Sequence, residues 1–323
     1  MARVTRDDVA LHAGVSVAVV SYVLNNGPRP VSAEKRARVE SAIGALGYRR
    51  DEVAASLSSR RSHIIGLLLP DAAHPYFADV ARRIEDVAFA LGYIVLVGNA
   101  ADDRAREARH LATFIAHRVA GVIAILADLA SDLPDEIELL RDRIVLLDRI
   151  PNGWSGHAVA VNNRHGGRLA ANRFLEKGRR KLLIVSGPTG FGHINERVDG
   201  FLESLPDGCT ARVCNTPGFT FQAGASAIAE SLATFEPDGV FCCSDTLAIG
   251  ALAGLARMGR RVPDDVAVIG YDDVAQSALT VPSLTSIAQP TQAMAEQAVG
   301  LLLNQRAPCP PRLEPTLTER ESG

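Results

Sequence analysis

The chain has 323 residues, of which 47% are hydrophobic and 22% are charged, and its formal net charge is −3. These values are typical of a globular protein of about two domains, and they exclude a largely disordered chain. No stretch approaches the ~18 uninterrupted apolar residues of a membrane span, and the N-terminal segment lacks the apolar region of a signal peptide. We therefore expect a cytoplasmic protein with no membrane partner.

Charge is distributed unevenly along the chain. Residues 1–62 contain ten Arg or Lys and six acidic residues, so this segment carries +4 and the remainder carries −7. A basic head on an acidic body is expected when only the head meets the phosphates of a nucleic acid.

Residues 1–49 contain the boundary signals of short helices. Thr5 and Ser16 are candidate N-caps, because a side-chain oxygen at these positions can accept a hydrogen bond from a free backbone N–H. Gly14 suits the left-handed conformation that ends a helix. Since only residues 13–15 separate the first two helices, the pattern predicts a helix-turn-helix in an all-α, DNA-binding head.

Residues 50–61 form a linker between this head and a core at 62–323. Its central segment, DEVAASLSS (51–59), has the composition of a short helix. The segment lacks a wide apolar face, and a helix of this length is marginal in water. We interpret it as a helix that forms only under particular conditions.

From residue 62 onward, short apolar runs alternate with amphipathic stretches. Runs that are apolar on both faces fit strands of a parallel sheet covered by helices, and the alternation predicts a doubly wound α/β architecture. The number of runs suggests two such sheets side by side, with a ligand cleft at the carboxyl ends of their strands. The runs are HIIGLLL (63–69), YIVLVG (93–98), AGVIAIL (120–126), RIVLLD (143–148), KLLIVS (181–186), GVFCC (239–243) and VAVIGY (266–271).

Polar residues follow several of these runs. Asp148 ends one run, Ser244 and Asp245 follow another, and Asp272 follows the last. Such positions face the cleft of a doubly wound fold, although each acid also precedes a helix and could cap it instead. Arg197 lies at the start of a further helix, after the Gly-rich loop SGPTGFGH.

The five cysteines indicate neither a disulfide framework nor a metal site. Their number is odd, and no pair of Cys or His has the spacing of metal ligands. Cys242 and Cys243 lie in an apolar run, where buried small side chains are the preferred interpretation. The sequence contains no Walker loop, GxSxG elbow or HExxH motif. We therefore expect no metal, no cofactor and no catalytic residue.

Many segments together resemble the lactose-repressor (LacI) family of bacterial regulators. The resemblance implies a periplasmic-binding-protein-like core with one subdomain at about 62–161 plus 291–323 and the other at about 162–290. It also implies a homodimer that binds a pseudo-palindromic DNA operator under allosteric control by a small molecule. The matching segments are VTRDDVALHAGVSVAVVSYVLN (4–25), VSAEKRARVESAIGALGY (31–48), VAASL (53–57), IGLLLPDAAHPYFADVARRIEDVAFALGY (65–93), LLDR (146–149), ERVDGF (196–201), FCCSDTLAIGAL (241–252) and RVPDDVAVIGYDD (261–273).

The resemblance also assigns DNA contacts to the head and the linker. The second helix would lie in the major groove, and Tyr22 stands where the family usually has Arg, so the preferred operator should differ. Residues implied at or near base edges are Val17, Ala18, Ser21 and Tyr22. Residues implied at phosphates are Thr5, Ser16, Asn25 and Arg29, which could also act as caps or turn residues.

In the linker, Ala54 and Leu57 are implied at the minor groove, with Leu57 as an apolar wedge that unstacks a base step. Leu57 could alternatively pack against its counterpart in a dimer. The linker departs from the family pattern at Arg50, Asp51 and Ala55, and the two acids Asp51 and Glu52 should weaken binding beside phosphates unless they cap the helix.

For the effector, the resemblance implies polar contacts from one set of core residues and flat apolar walls from another. The polar set is Asp148, Arg197, Asp272 and Gln289, to which the strand-end residues Ser244 and Asp245 are added. The walls are Tyr76, Phe77 and Phe219. Carboxylates, one Arg and aromatic rings suit a sugar or another polyhydroxylated ring, with a nucleobase as the alternative.

Two other functions would leave different signals in the sequence. A sugar-processing enzyme would need paired catalytic carboxylates and no DNA-binding head, and a free solute-binding protein would need an export signal. Residues 1–62 and the N-terminal composition argue against both. The sequence therefore predicts a DNA-binding regulator, expected to be a repressor and not an enzyme, whose operator affinity depends on a small molecule.

Overall fold

The computed structural model describes residues 4–25, 30–48, 62–127, 133–151, 153–304 and 307–323. The chain divides into two compact units, Met1–Arg61 and Ser62–Gly323. The helix expected at 51–59 lies outside the described residues.

The head unit contains the predicted helix-turn-helix. Its helices are α1 (Arg6–Ala13), α2 (Val17–Asn25) and α3 (Ala33–Leu46). Thr5 caps α1 in a reciprocal pair: its hydroxyl accepts from Asp8 N, and its own N–H donates to the Asp8 carboxylate at 2.8 Å. Buried apolar residues from all three helices form one core, which comprises Val9, Ala10, Ala13, Val20, Val23, Val39, Ala42 and Tyr48.

The first subdomain of the core unit is a parallel sheet with strand order β2-β1-β3-β4-β5. Alternate side chains of its central strands enter two apolar layers, because α4 and α11 cover one face and α5 and α6 cover the other. The strands are β1 (Ile64–Leu69), β2 (Ile94–Asn99), β3 (Gly121–Ala124), β4 (Ile144–Leu147) and β5 (His157–Val159). The helices are α4 (Pro75–Ala90), α5 (Arg104–Ala116), α6 (Asp135–Leu139), a 3-10 turn (Arg141–Arg143) and α11 (Thr291–Leu303).

The second subdomain has a sheet with order β11-β10-β9-β8-β6-β7, parallel except for β11. Helices α9 and α10 cover one face, and α7 and α8 cover the other. The strands are β6 (Lys181–Gly187), β7 (Thr210–Asn215), β8 (Gly239–Cys242), β9 (Ala267–Asp272), β10 (Thr285–Ala288) and β11 (Thr316–Thr318). The helices are α7 (Asn163–Glu176), α8 (Gly192–Leu202), α9 (Phe221–Leu232), α10 (Asp245–Arg257) and a 3-10 segment (Ala275–Leu279).

The expected doubly wound architecture is confirmed, and all seven apolar runs form strands. One boundary was wrong: residues 291–323 do not all belong to the first subdomain. Helix α11 packs on the first sheet, but β11 pairs with β10 in the second. Ser322 anchors this last segment, because it is fully buried and its hydroxyl donates to Val268 O at 2.7 Å and accepts from Thr285 N at 2.8 Å.

Two helix pairs of the second subdomain approach each other at glycines. A Cβ on Gly167 of α7 would lie 2.0 Å from the carbonyl oxygen of Arg197 on α8, and a Cβ on Gly200 of α8 would lie 2.0 Å from that of Arg164. Helices α9 and α10 meet in the same way at Gly224. Backbone therefore packs directly on backbone, which fixes the position of α8 against α7.

Among the described residues, no single helix is long and apolar enough to cross a membrane; helices α1 and α2 satisfy length and composition only as a pair bent by 105°.

Candidate functional site

The head presents the N-terminal end of α2 at its surface. Val17 and Ala18 are exposed, whereas Val20 and Val23 of the same helix are buried in the core of the head. Ser16 caps the helix, since its hydroxyl oxygen accepts from Val19 N at 3.4 Å.

Of the other expected DNA contacts, Thr5 is exposed beside the start of α1, and Ser21 and Tyr22 are half-buried on α2. In a helix-turn-helix, the N-terminal residues of the second helix contact base edges, and apolar and phenolic side chains can make such contacts. The remaining expected contacts lie outside the described residues; these are Arg29, Ala54, Leu57 and the side chain of Asn25.

A cavity of about 30 Å³ lies between the two subdomains of the core. Most of the expected effector residues lie on its wall, because the carboxyl ends of strands from both sheets meet there. The lining residues are His74, Tyr76, Phe77, Asp148, Arg149, His193, Ile194, Arg197, Phe219, Ser244 and Asp272.

Arg197 is the most constrained cation of this cavity. It is buried, its Nε donates to Asn163 Oδ1 at 2.8 Å, and its Nη1 donates to Cys243 O at 2.7 Å. The guanidinium carbon lies 3.6 Å from the centroid of the Tyr271 ring, whose hydroxyl donates to the same Asn163 oxygen at 3.1 Å. Asp272 Oδ1 lies 3.9 Å from Nη1, so this cation has a carboxylate neighbour without a direct hydrogen bond.

Gln289 links the cavity wall to the connection between the subdomains. It does not line the cavity itself; its Nε2 donates to Asp272 Oδ1 at 2.8 Å, and its Oε1 accepts from the Tyr76 hydroxyl at 3.3 Å. Burial raises the pKa of Asp272 well above its usual range, and the nearby Arg197 opposes that shift.

Asp148 and Arg149 form a second buried pair of opposite charge. Asp148 has a φ of 65°, a conformation that L-residues rarely adopt, and burial raises its pKa. The Arg149 guanidinium lies 5.2 Å from the ring centroid of Phe77 and 4.7 Å from that of Phe191. It therefore lies between an aromatic ring of each subdomain.

A buried carboxylate outside the cavity supports Arg149. Arg149 Nη1 donates to the carbonyls of Leu126 and Ala127 at 3.1 and 3.0 Å, and Glu107 Oε2 accepts from Ala127 N at 2.8 Å. Glu107 thus fixes the loop that holds the guanidinium.

Asp245 was expected to contact the effector, and this expectation is wrong. Its side chain is fully buried and accepts from the hydroxyls of Ser277 and Ser286, both at 2.6 Å, and from Val274 N at 2.9 Å. It does not line the cavity, because it ties the loop after β9 to α10. Burial raises its pKa to about 6.

Sequence reasoning omitted Arg149 and Asn163 from the site. Arg149 follows Asp148 directly at the end of β4 and lies in the LLDR segment that carried the resemblance, so the strand-end signal was present. Asn163 gave no such signal, since its role depends on the long-range approach of Arg197 and Tyr271.

Two histidines in the cavity are held neutral. Burial and the positive charge of Arg149 lower the pKa of His74 to about 4, and burial lowers the pKa of His193 well below its usual value. His74 Nε2 lies 3.2 Å from the Thr246 hydroxyl of the opposite subdomain.

The lowered pKa of His74 predicts that acid destabilises the core. The unfolded chain takes up a proton near pH 6.5, whereas the folded chain does so only near pH 4, so stability is lost as pH falls through this window. At pH 5 we expect a loss of about 2 kcal/mol relative to pH 7.5 from this residue. Urea unfolding at both pH values should show this loss in the wild-type chain and a correspondingly smaller loss in His74→Gln. Equal losses in the two proteins would contradict the assignment.

The comparisons with known proteins agree with this geometry. Residues 5–51 match the family described as bacterial regulatory proteins, lacI family, and residues 171–323 match the periplasmic binding protein-like domain. The ribose operon repressor of Halalkalibacterium halodurans is 36% identical over 301 residues, which cover 92% of this chain and 89% of the relative. The chain belongs to the LacI family. Members of this family are DNA-binding transcriptional regulators.

Two solved structures have the same fold as this chain. The transcriptional regulator CelR–cellobiose complex is 30% identical and has a TM-score of 0.73. The match covers 99% of this chain and 100% of the CelR chain. The lac repressor dimer bound to operator and the anti-inducer ONPF has a TM-score of 0.88 with 99% of each chain covered; at 24% identity it shows the fold alone.

Proposed function

We propose that this LacI-family regulator is a repressor, not an enzyme, and that a neutral sugar controls its affinity for an operator in the cytoplasm. The observation that carries the proposal is a set of buried polar atoms with no hydrogen-bond partner among the described residues. These atoms are Asp148 Oδ1, Arg149 Nε, His74 Nδ1 and His193 Nδ1, and all four residues line the cavity.

These four atoms require a ligand with mixed hydrogen-bonding capacity. Asp148 Oδ1 needs a donor, whereas Arg149 Nε–H needs an acceptor. A sugar hydroxyl supplies both, and the rings of Phe77 and Phe219 can cover the apolar faces of the sugar. The presence of two carboxylates, Asp148 and Asp272, also favours a ligand rich in donors, which a sugar satisfies better than a nucleobase.

The relatives of this chain guide the choice of the first ligand to test. The most informative first candidate is D-ribose, because the relative from Halalkalibacterium halodurans is a ribose operon repressor.

A thermal-shift measurement with sugars and nucleobases tests the effector class. A ligand at ~100 times its dissociation constant stabilises the folded core by about 2.7 kcal/mol, and we expect this from D-ribose or another pentose. Cellobiose is included as a disaccharide, because the similar CelR structure is a complex with it. Stabilisation by adenine or guanine with none by any monosaccharide would refute the sugar proposal.

Homodimerisation is supported by an apolar patch at the edge of the first sheet. β2 is an edge strand, and Ile94, Leu96 and Val97 on it are exposed at 67%, 41% and 49%. Phe89 and Leu91, just before the strand, are exposed at 75% and 56%. A contiguous apolar edge of this kind is covered in stable proteins, and we propose a second copy as its cover.

We propose that the exposed face of α2 reads the operator and that Tyr22 contributes to base preference. Tyr22→Ala should change which sequence is selected from a random DNA library, because the phenol can make one hydrogen bond to a base edge. His12→Ala, on the exposed end of α1 and outside the expected DNA contacts, is the control and should leave the preferred sequence unchanged. Identical selected sequences from wild-type and Tyr22→Ala proteins would show that Tyr22 does not read bases.

The proposed coupling runs through the linker. Residues 51–59 would form a helix only with DNA and a partner linker, so the spacing of the two cores would determine operator affinity. A ligand that changes this spacing by closing the cleft would change that affinity, and operator would change ligand affinity by the same factor. Ala54 and Leu57 are proposed as the minor-groove contacts of this segment.

A further inference from the structure

One hydroxyl group connects the two walls of the cavity. Thr246 is the second residue of α10 in the second subdomain, is buried, and is not itself among the cavity-lining residues. Its Oγ1 lies 3.2 Å from His74 Nε2, which belongs to the first subdomain, 3.0 Å from Phe219 O, and 3.0 Å from Ser244 Oγ. Three groups therefore share this oxygen, and they come from both sides of the cleft.

The protons at this oxygen can be assigned. A carbonyl only accepts, so the single hydroxyl proton of Thr246 goes to Phe219 O. Both remaining contacts must then be accepted by Oγ1. Ser244 can donate its own hydroxyl proton, and His74 must donate from Nε2.

This assignment determines the state of the imidazole. His74 is neutral near pH 7, so it carries one ring proton. If that proton is on Nε2, Nδ1 has a free lone pair. Nδ1 is buried and has no partner within the described part of the chain.

We propose that Thr246 is a positioning residue for effector recognition: its hydroxyl holds His74 as the Nε2–H tautomer across the cleft, so that Nδ1 can accept a hydrogen bond from an effector hydroxyl. The inference rests on the proposed function for the nature of the ligand, but the tautomer is a property of the ligand-free protein. Because the two residues belong to opposite subdomains, the acceptor is defined only when the cleft is closed. The effector can therefore be recognised by His74 only when the cleft is closed.

The ligand-free test is ¹⁵N NMR of histidine-labelled, full-length protein at pH 7.5. Protonated and unprotonated ring nitrogens have well-separated shifts, and the His74 signals are assigned from their absence in His74→Gln. We expect a single Nε2–H tautomer in wild-type protein and in Thr246→Ser, which retains the hydroxyl. In Thr246→Val, which is isosteric but has no hydroxyl, we expect a mixture of tautomers.

A matched control separates this effect from general destabilisation. Thr285 is also a buried threonine of the second subdomain, and its hydroxyl donates to Arg320 O at 3.1 Å within that subdomain. Thr285→Val should lower the melting temperature comparably to Thr246→Val and leave the His74 tautomer unchanged. A wild-type His74 that carries its proton on Nδ1, or an unchanged tautomer in Thr246→Val, would overturn the proposal.

Titration with D-ribose gives the second readout. We expect the dissociation constant to rise about tenfold in Thr246→Val, because one hydrogen bond to a buried group is lost. In Thr246→Ser it should stay close to the wild-type value. If wild-type protein does not bind D-ribose, the choice of effector is wrong, and the NMR arm still decides the role of Thr246. If D-ribose binds and Thr246→Val has wild-type affinity, the positioning role is wrong.

Discussion

Arg197→Met should lower effector affinity at least about 100-fold while operator binding survives. The substitution keeps the length of the side chain but removes every donor, so Asn163 Oδ1, Cys243 O and the Asp272 carboxylate all lose the same partner. Arg197 lines the cavity, so its removal also takes the positive charge and the donors from the wall that faces the effector. Leaving Asp272 buried without this cation costs about 3–5 kcal/mol of stability, so the melting temperature should fall as well. Isothermal titration with D-ribose and anisotropy with labelled operator measure the two affinities.

The control for this substitution is Arg164→Met. Arg164 pairs with Asp199 and Glu203 at the surface, where an ion pair contributes at most about 1 kcal/mol. The Arg164→Met protein should bind effector and operator as the wild-type protein does. If Arg197→Met bound D-ribose with wild-type affinity, the cavity described here would not be the effector site; if both proteins lost operator binding, the head would depend on the core for folding.

Gly167→Ala should strongly destabilise the core. The new Cβ would lie 2.0 Å from Arg197 O, a backbone atom that cannot rotate away, so α7 and α8 must separate. Overpacking of this kind costs about 1–3 kcal/mol or more. Because α8 carries Arg197, effector affinity should fall together with the melting temperature.

Gly300→Ala is the matched control for the same chemical change. Gly300 lies in helix α11, and a Cβ there would have no neighbour within 4 Å. Alanine favours helix over glycine by about 1 kcal/mol, so this variant should melt at a higher temperature than wild-type protein. Differential scanning calorimetry of the two variants compares them directly, and a Gly167→Ala protein as stable as wild type would show that the helices can separate at no cost.

The strands that followed from the sequence are those whose residues form a continuous apolar run. β1, β3, β4, β6, β8 and β9 are short apolar runs because helices cover both sides of them, and such runs can be read without an alignment. β5, β7, β10 and β11 were not predicted. β10 is internal but half polar (TSIA), whereas β5, β7 and β11 lie at sheet edges, and β7 has the sequence TARVCN with partly exposed side chains. An edge strand need not be apolar, so it has no such signature.

One residue expected at the candidate site, Asp245, was placed wrongly for a different physical reason. Residues at strand ends point to a cleft, and Asp148 and Asp272 were found on that basis. Asp245 has the same sequence signal, yet three hydrogen bonds turn its carboxylate away from the cavity. The direction of a side chain depends on partners that are distant in sequence, such as Ser277 and Ser286, and no local pattern records them.

The contacts across the cleft have a consequence for how fast the regulator can respond. Thr246 contacts His74, and Phe191 lies over the Arg149 guanidinium, so the subdomains touch each other beside a cavity of only about 30 Å³, which is too small for a sugar. A ligand can enter or leave only while these contacts are broken. The dissociation rate is then bounded by the opening rate, whatever the affinity of the ligand. A cell that exhausts the effector would change transcription only after a delay set by the spontaneous opening of this cleft.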